Sequence, residues 1–298
     1  LLPAEREEVS EFLRQCQGPI WAEATSGLRE RFVDRLVTDE KRLKELDFEQ
    51  VIRIGGVPSL RFWRDLEESD MPVVSFSRTG FSGLSIAAER GTGICCPIVK
   101  AEEGLIEMPG RESQALSDEL IVSTFGVNTI NSDSEAGKIR RLSELVPSEA
   151  MVFLGNSLPI REWNLAASLD PAHENCFANR GANGIDGELS TFFGLCQDFE
   201  QGWGVFGDLT TLYDMNAPWI LKQIKDRKIR VVVINNGGGR IFDKLPAMGQ
   251  VQDKALTENT HSLRFRSMAE MWGMEYVLWQ DGEWAMPEGD VALIELVI

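Results

Sequence analysis

The chain has 298 residues, 43% of them hydrophobic, and a formal net charge of −17. This length favours two domains over one, and the composition is typical of a soluble globular protein. The negative charge argues against nucleic acid and anionic membranes as partners, and no apolar run approaches the ~20 residues of a transmembrane helix.

The cysteines and histidines indicate a reduced, cytoplasmic protein. The five cysteines are odd in number, include the adjacent pair Cys95 and Cys96, and show no Cys-x-x-Cys spacing. This usage is typical of buried thiols rather than disulfides. Two histidines, His173 and His261, are too few for a histidine-rich metal site. Because the chain begins with Leu1, we expect it to be a fragment or a trimmed form of a longer protein.

Taken in chain order, the first half alternates helical and extended patterns. Helices are predicted at residues 3–17, 29–46 and 60–66, and strands at 19–24, 51–54 and 73–76. The pattern becomes irregular between residues 96 and 109. A turn and cap at residues 131–134 then precede a helix at 135–145. We therefore expect an α/β domain over residues 1–135 and a second domain over residues 136–298.

The second domain shows the same alternation. Strands are predicted at residues 151–154, 204–207, 230–234 and 291–298, with a further strand end within 177–186. Residues 210–224 have helical spacing, so they would join two neighbouring parallel strands. Both domains are therefore expected to be doubly wound α/β folds with mainly parallel sheets. The glycine-rich stretches at residues 179–187 and 235–239 do not have Gly-x-Gly-x-x-Gly spacing, which argues against a Rossmann dinucleotide site in either.

Two neighbouring strand ends in the second domain carry polar side chains. Asp208 ends one strand, and Asn236, followed by three glycines, ends the next. Open α/β sheets bind ligands at such ends. The Asp208 carboxylate, the Asn236 amide oxygen and the carbonyl oxygen of Gly238 suit Mg²⁺, which usually keeps phosphate oxygens in its shell. Either motif alone is more often a helix cap or a turn, but together they predict a divided site for Mg²⁺ and a diphosphate.

These two motifs are similar to the thiamine-diphosphate motif. Four sequence segments resemble the carboxyl-terminal half of the MenD family, the 2-succinyl-5-enolpyruvyl-6-hydroxy-3-cyclohexene-1-carboxylate synthases of menaquinone biosynthesis. They are GNSLPIR at residues 155–161, NRGANGIDG at 179–187, GDLTTLYDMN at 207–216 and IFDKLP at 241–246. Residues 19–29 and 51–56 resemble the family's middle domain more weakly. The resemblance implies that residues 136–298 form the diphosphate-binding (PP) domain.

The resemblance also implies roles for individual residues. The metal, Mg²⁺ or Mn²⁺, would be held by Asp208, Asn236 and Gly238. The thiamine diphosphate would be bound by Gly207, Asp208, Leu209, Thr210, Ile185, Asn236, Gly238 and Ile241. Ile185 would support the bent form of the cofactor. The substrates would be bound by Ser157, Arg161, Arg180, Arg61, Phe242 and Leu245. From the residues alone, Arg161 is more readily explained as a surface arginine, Ser157 as a turn cap, and Ile185 equally well as a core residue.

The implied reaction decarboxylates 2-oxoglutarate and adds the resulting carbanion to isochorismate. No catalytic residue is expected within this chain. In the family, a glutamate that binds N1′ of the cofactor belongs to a pyrimidine-binding domain preceding the middle domain. That domain would come from the parent protein or a second subunit of a homodimer or tetramer, so the chain alone is expected to be inactive.

Two alternatives to this function stay open. One is another thiamine-diphosphate 2-oxoacid decarboxylase or a carboligase resembling acetohydroxyacid synthase. The other is a non-catalytic nucleotide-binding module that kept the fold. The paired Asp208 and Asn236 motifs argue against the second alternative.

Overall fold

A computed structural model describes residues 3–16, 18–46, 50–69, 71–76, 93–94, 130–180, 184–241 and 255–298. The chain divides into two compact units, Leu1–Thr129 and Ile130–Ile298. The predicted boundary at residues 135–136 falls at the start of the helix Glu135–Leu145, which lies in the second unit. The identity of the two parts as domains of a longer enzyme stays a prediction. None of the helices in the described ranges is both long and apolar enough to span a bilayer.

The first unit contains a small parallel sheet. Its strands are β1 (Val51–Ile54), β2 (Val73–Phe76) and β3 (Gly93–Ile94), which pair in that order. Its α-helices are α1 (Pro3–Gln15), α2 (Glu40–Glu45) and α3 (Phe62–Asp65). Single 3₁₀ turns lie at Ala24–Ser26, Arg29–Arg31 and Leu66–Glu68. The strands predicted at residues 51–54 and 73–76 are confirmed.

The helix predicted over residues 29–46 is wrong for half of its length. Only the 3₁₀ turn Arg29–Arg31 and α2 are helical there. The backbone of Ile20 instead accepts a hydrogen bond from the amide of Val37 and donates one to the carbonyl of Arg35. This bridge replaces the strand predicted at residues 19–24, and the long-range pairing overrides the local helical spacing of the apolar residues.

The second unit is built on a six-stranded parallel sheet. Its strands are β4 (Met151–Leu154), β5 (Cys176–Phe177), β6 (Gln201–Gly207), β7 (Lys228–Asn235), β8 (Glu275–Trp279) and β9 (Val291–Val297). The spatial order is β5-β4-β6-β7-β9-β8. Its α-helices are α4 (Glu135–Leu145), α5 (Leu158–Ala166), α6 (Glu188–Leu195), α7 (Asp208–Tyr213), α8 (Ala255–Glu258) and α9 (Arg266–Trp272). The predicted α/β class with parallel sheets is confirmed.

The order of the strands creates a topological switch point between β4 and β6. From β4 the chain moves outward to β5, and then returns to place β6 on the other side of β4. In open α/β sheets, a ligand binds in the crevice at the carboxyl ends of strands where the order reverses. Gly155 and Asn156 follow β4 at this point, and Asp208 follows β6.

The helix predicted over residues 210–224 is shorter and divided. It begins at Asp208 and ends at Tyr213, and a 3₁₀ stretch, Ala217–Gln223, follows after a turn. Pro218 lies in the first turn of that stretch. Because proline lacks an N–H and its ring clashes with the preceding turn, a continuous α-helix cannot pass through it. The strand–helix–strand connection between β6 and β7 is nevertheless the one predicted.

Glycines in β6 make room for the aromatic core on one face of this sheet. A Cβ atom on Gly204 would overlap the ring of Phe206 and lie 2.9 Å from Cδ1 of Phe192. Both rings are completely buried and contact each other with their centroids 5.7 Å apart. The glycine is therefore required by packing rather than by its backbone conformation.

We expect Gly204→Ala to destabilise the second unit by about 1–3 kcal/mol, because the closely packed rings must shift to admit the methyl group. Gly194→Ala is the matched control, since Gly194 lies in α6 with open space around its Cα and the change should be neutral or stabilising. Urea denaturation followed by tryptophan fluorescence measures both. Equal midpoints for the two variants would contradict the packing role of Gly204.

Candidate functional site

Asp208 connects the two predicted motifs. It follows β6 and is only 2% exposed. Its Oδ1 accepts a hydrogen bond from the Leu209 amide at 2.6 Å. Its Oδ2 accepts hydrogen bonds from the amides of Gly237 at 2.9 Å and Gly238 at 3.0 Å. The carboxylate at the end of β6 therefore reaches the glycine loop that follows β7, and the structure brings these two strand ends together.

The glycine loop requires glycine at Gly238. Its φ of 142° lies in a region that other residues rarely adopt, and a Cβ atom there would lie 2.6 Å from the carbonyl oxygen of Glu258. The amide of Gly239 donates to that same carbonyl, and the amide of His261 donates to Gly237 O at 3.1 Å. The segment around α8 therefore holds the loop in a fixed conformation against Asp208.

Asn236 provides an oxygen that lacks a partner. Its Oδ1 is buried and accepts no hydrogen bond from the described part of the chain. Its Nδ2 lies 3.5 Å from Oε2 of Glu135. Among the described residues, the carbonyl of Gly238 accepts a hydrogen bond from the Arg240 amide at 2.9 Å and keeps a second lone pair. Buried polar atoms without partners are rare, and both Asn236 Oδ1 and the Gly238 carbonyl are hard oxygen atoms of the kind that Mg²⁺ binds.

The electrostatics of Asp208 also fit a cation. Burial raises the pKa of Asp208, although the amides of Leu209, Gly238 and Gly237 and the charge of His261 act in the opposite direction. A bound divalent cation would stabilise the ionised carboxylate directly. No cluster of three or more His, Cys, Asp and Glu side chains suited to a metal occurs within the described ranges. The donors here are one carboxylate, one amide oxygen and one carbonyl oxygen.

A second polar group lies at the end of β4. Nη1 of Arg180 donates to Oδ1 of Asn156 at 2.9 Å, whereas its Nε is buried and has no partner among the described residues. The backbone amide of Asn156 donates to the carboxylate of Glu188. The guanidinium of Arg180 is therefore oriented from one side only, and an unpaired buried N–H remains to bind an acceptor such as a carboxylate.

Ser157 and Arg161 lie next to this group. Ser157 immediately precedes α5 and has a φ of 72°, which is strained for a residue other than glycine. The half-buried Arg161, in the first turns of α5, donates from Nη1 to the carbonyl oxygen of Ser157. Strained backbone of this kind occurs at functional sites more than elsewhere, and the turn holds Ser157 at the carboxyl end of the sheet.

The remaining predicted residues are distributed as follows. Ile185 is half-buried in the turn before α6, Gly207 precedes α7, and Leu209 and the buried Thr210 lie within it. Ile241 is half-buried after the glycine loop. Phe242 and Leu245 lie outside the described residues. Arg61, at the start of α3 in the first unit, is exposed and its Nε lies 3.4 Å from Oδ1 of Asp65. All these binding roles stay predictions.

Sequence reasoning did not assign roles to several residues of this region. His261 places Nε2 3.3 Å from Oδ2 of Asp208. Arg240 pairs with Glu258 at 2.9 Å and donates from Nε to Asn236 O at 3.2 Å, which ties the glycine loop to α8. Glu188 is completely buried beside Asn156. Glu188 is the first residue of the helix ELSTFFGL, where an acidic side chain is ordinarily solvated, so the sequence did not indicate its burial.

Comparison with known proteins gives one consistent group of relatives. The chain is 38% identical to the 2-succinyl-5-enolpyruvyl-6-hydroxy-3-cyclohexene-1-carboxylate synthase of Akkermansia muciniphila, over 99% of this chain and 57% of the relative. It is 36% identical to the synthase of the same name from Bdellovibrio bacteriovorus, over 91% of this chain and 52% of the relative. The chain thus spans about half the length of these curated relatives. No protein-family model matches it.

Proposed function

Because this chain belongs to the 2-succinyl-5-enolpyruvyl-6-hydroxy-3-cyclohexene-1-carboxylate synthase family, we propose that it supplies the diphosphate- and metal-binding part of such an enzyme. In this proposal, residues 136–298 are the PP domain and residues 1–135 the middle domain. The whole enzyme decarboxylates 2-oxoglutarate and joins the product to isochorismate for menaquinone biosynthesis. It works as a cytoplasmic homodimer or tetramer whose pyrimidine-binding domain completes each site.

The observation that carries this proposal is the pairing of Asp208 with the glycine loop. The buried carboxylate of Asp208, the Oδ1 of Asn236, which has no partner among the described residues, and the carbonyl of Gly238 form a set of hard oxygen donors. In the proposed role these three residues would hold Mg²⁺ or Mn²⁺, which would neutralise the charge of the diphosphate of thiamine diphosphate. Gly207, Leu209, Thr210 and Ile241 would contact the cofactor, and Ile185 would support its bent form.

The other proposed contributions of this chain are binding and orientation. When bound, thiamine diphosphate supplies the nucleophilic carbon and the electron sink for decarboxylation of a 2-oxo acid. Arg161 and Arg180 would hold carboxylates of the substrates, because a guanidinium can donate two parallel hydrogen bonds to one carboxylate. Ser157 would orient the same substrates, with Phe242, Leu245 and Arg61 as further contacts. In a chain of charge −17, such local cations are needed to hold dicarboxylates.

The test of this function uses the intact protein that contains the chain. We expect Mg²⁺-dependent binding of thiamine diphosphate by calorimetry, and consumption of isochorismate that requires 2-oxoglutarate and no other 2-oxo acid. Turnover of pyruvate with equal efficiency, in place of 2-oxoglutarate, would instead favour the acetohydroxyacid-synthase-like alternative. Absence of cofactor binding would contradict the proposal as a whole.

A polypeptide limited to these 298 residues is expected to show no synthase turnover and only weak binding of thiamine diphosphate. The physical reason is that the aminopyrimidine contacts, including the N1′ glutamate, lie on a domain that we assign outside residues 1–298. Calorimetry with Mg²⁺ and an assay with both substrates measure this, and the intact protein is the control. Steady turnover by the 298-residue polypeptide would contradict the division of the active site.

A further inference from the structure

Glu188 is a buried carboxylate close to the proposed carboxylate-binding arginine. It is the first residue of α6 and is completely buried. Its Oε1 and Oε2 lie 2.9 and 3.1 Å from the backbone nitrogen of Asn156. Gly155 permits this approach, since a Cβ atom there would lie 3.0 Å from Oε2. Among the described residues, the hydrogen bonds to Glu188 come from Asn156.

Asn156 links Glu188 to Arg180. Its side-chain Nδ2 donates to the carbonyl oxygens of Asn179 at 2.9 Å and Gly184 at 2.8 Å, and its Oδ1 accepts from Arg180 Nη1 at 2.9 Å. Asn156 is therefore held by Glu188 on its backbone, and it holds Arg180 and both sides of the loop that follows β5 with its side chain. A change at Glu188 can reach Arg180 through this one residue.

The second unit contains another buried glutamate, Glu295 in β9, that serves as an internal comparison. Glu295 accepts hydrogen bonds from Asn235 Nδ2 at 2.8 Å, Arg264 Nη1 at 3.1 Å, the Phe265 amide at 2.9 Å and Tyr276 Oη at 2.8 Å. Burial raises its pKa, but these donors outweigh burial and the net pKa is lowered. Glu295 is therefore an ionised structural carboxylate, saturated with donors.

Glu188 has no comparable set of donors. The pKa of Glu188 is raised to about 7, mainly because the residue is buried. The charge of Asp214 also raises this pKa, whereas the hydrogen bonds from Asn156 and the charge of Arg180 lower it. Among the described residues, the charged groups that act on Glu188 are Arg180 and Asp214. Asp214 itself is held by the amide of Ser190 at 2.9 Å. Unlike Glu295, Glu188 can change its charge near neutral pH.

We propose that Glu188 is a positioning residue that orients Arg180 through Asn156 and takes up a proton from solvent when a carboxylate binds to Arg180. The proposal rests on the function proposed above, in which Arg180 contacts the substrate. An anion bound to Arg180 and the ionised Glu188 would be two negative charges beside one positive charge in a buried region, and the two negative charges would repel each other. Protonation of Glu188 removes this repulsion and leaves the charge of Arg180 to the substrate.

The affinity of Arg180 for a carboxylate should therefore depend on pH. Because the bound anion favours protonated Glu188, affinity is greatest below a pH of about 7 and falls as the pH rises through the pKa of the free protein. If the anion raises the pKa of Glu188 by one unit, the affinity falls about tenfold across this range. The affinity stops falling above the pKa that Glu188 has in the anion-bound protein, because Glu188 is then ionised both with and without the anion.

The test measures proton uptake directly in the intact holoenzyme, with succinate as an unreactive dicarboxylate probe. Calorimetry at about pH 8, above the free pKa of about 7, is done in two buffers that differ in ionisation enthalpy. We expect fractional proton uptake by the wild type and none by Glu188→Gln, whose side chain is permanently neutral. Absence of uptake in the wild type, or unchanged uptake in Glu188→Gln, would overturn the proposal.

A second variant keeps Glu188 in place. Asp214→Asn removes a negative neighbour, so the pH at which succinate affinity declines should move downward, whereas a purely structural role for Glu188 predicts no such shift. In the synthase assay, the pH dependence of KM for the carboxylate substrate should flatten in Glu188→Gln. If the wild type takes up a proton but has no synthase activity, only the proposed function is refuted. If Glu188→Gln is active and keeps the pH profile of the wild type, only the role of Glu188 is refuted.

Discussion

Asp208→Ala is expected to weaken Mg²⁺-dependent binding of thiamine diphosphate by at least about 100-fold in the intact protein. The substitution removes the only carboxylate among the proposed metal ligands, and changes to groups that merely support a ligand already cost 10–100-fold. Isothermal titration with Mg²⁺ and the cofactor measures the loss. Asn236→Ala should behave in the same way, because it removes the buried, unpartnered amide oxygen.

Two further variants separate the metal site from the fold. Asp208→Asn keeps an oxygen for the amides of Gly237 and Gly238 but loses the acceptor of the Leu209 amide, so the metal-free protein should lose about 1–3 kcal/mol of stability and stay folded. Asp198→Ala, at an exposed aspartate after α6, is the control and should bind the cofactor normally. Unchanged cofactor affinity in both Asp208→Ala and Asn236→Ala would contradict the proposed metal site.

Arg180→Lys is expected to raise KM for the carboxylate substrate by about tenfold or more, the amount lost with one charge-assisted hydrogen bond. Lysine keeps the charge but lacks the planar fork, so it cannot contact Asn156 and a carboxylate in the same arrangement. The melting temperature should change little, because the guanidinium makes one hydrogen bond to a side chain and leaves Nε unpaired within the described region.

The matched control for this arginine is Arg227→Lys. Arg227 donates to the carbonyl oxygens of Asp226 and Gln197 at the surface, away from the switch point between β4 and β6. Steady-state kinetics across both substrates should show a wild-type KM for this variant. If Arg180→Lys lowers the melting temperature but leaves KM unchanged, Arg180 is a structural residue.

The strand–helix–strand unit could be predicted from sequence because its signals are local. The run at residues 231–234 is β-branched and uncharged, and every residue of Ile229–Asn235 is buried in β7. Consecutive parallel strands joined by a helix place their carboxyl ends side by side, so Asp208 and the loop after Asn236 had to approach each other. The cap by Ser134 was predictable for the same reason, and its side chain accepts from the Gly137 amide at 3.1 Å.

Other features were decided by contacts between distant parts of the chain. Residues 29–46 have apolar residues at helical spacing, yet Leu36 forms a β-bridge with Ile20, so the backbone around Leu36 is not helical. Glu188 follows a glycine at a helix start, where an acidic side chain is ordinarily a solvated group near the positive end of the helix. Only the fold brings α6 against the end of β4, where Gly155 leaves room for the carboxylate and Asn156 supplies its donor. Sequence therefore determined which residues end the strands, whereas tertiary packing determined which polar groups lost contact with water.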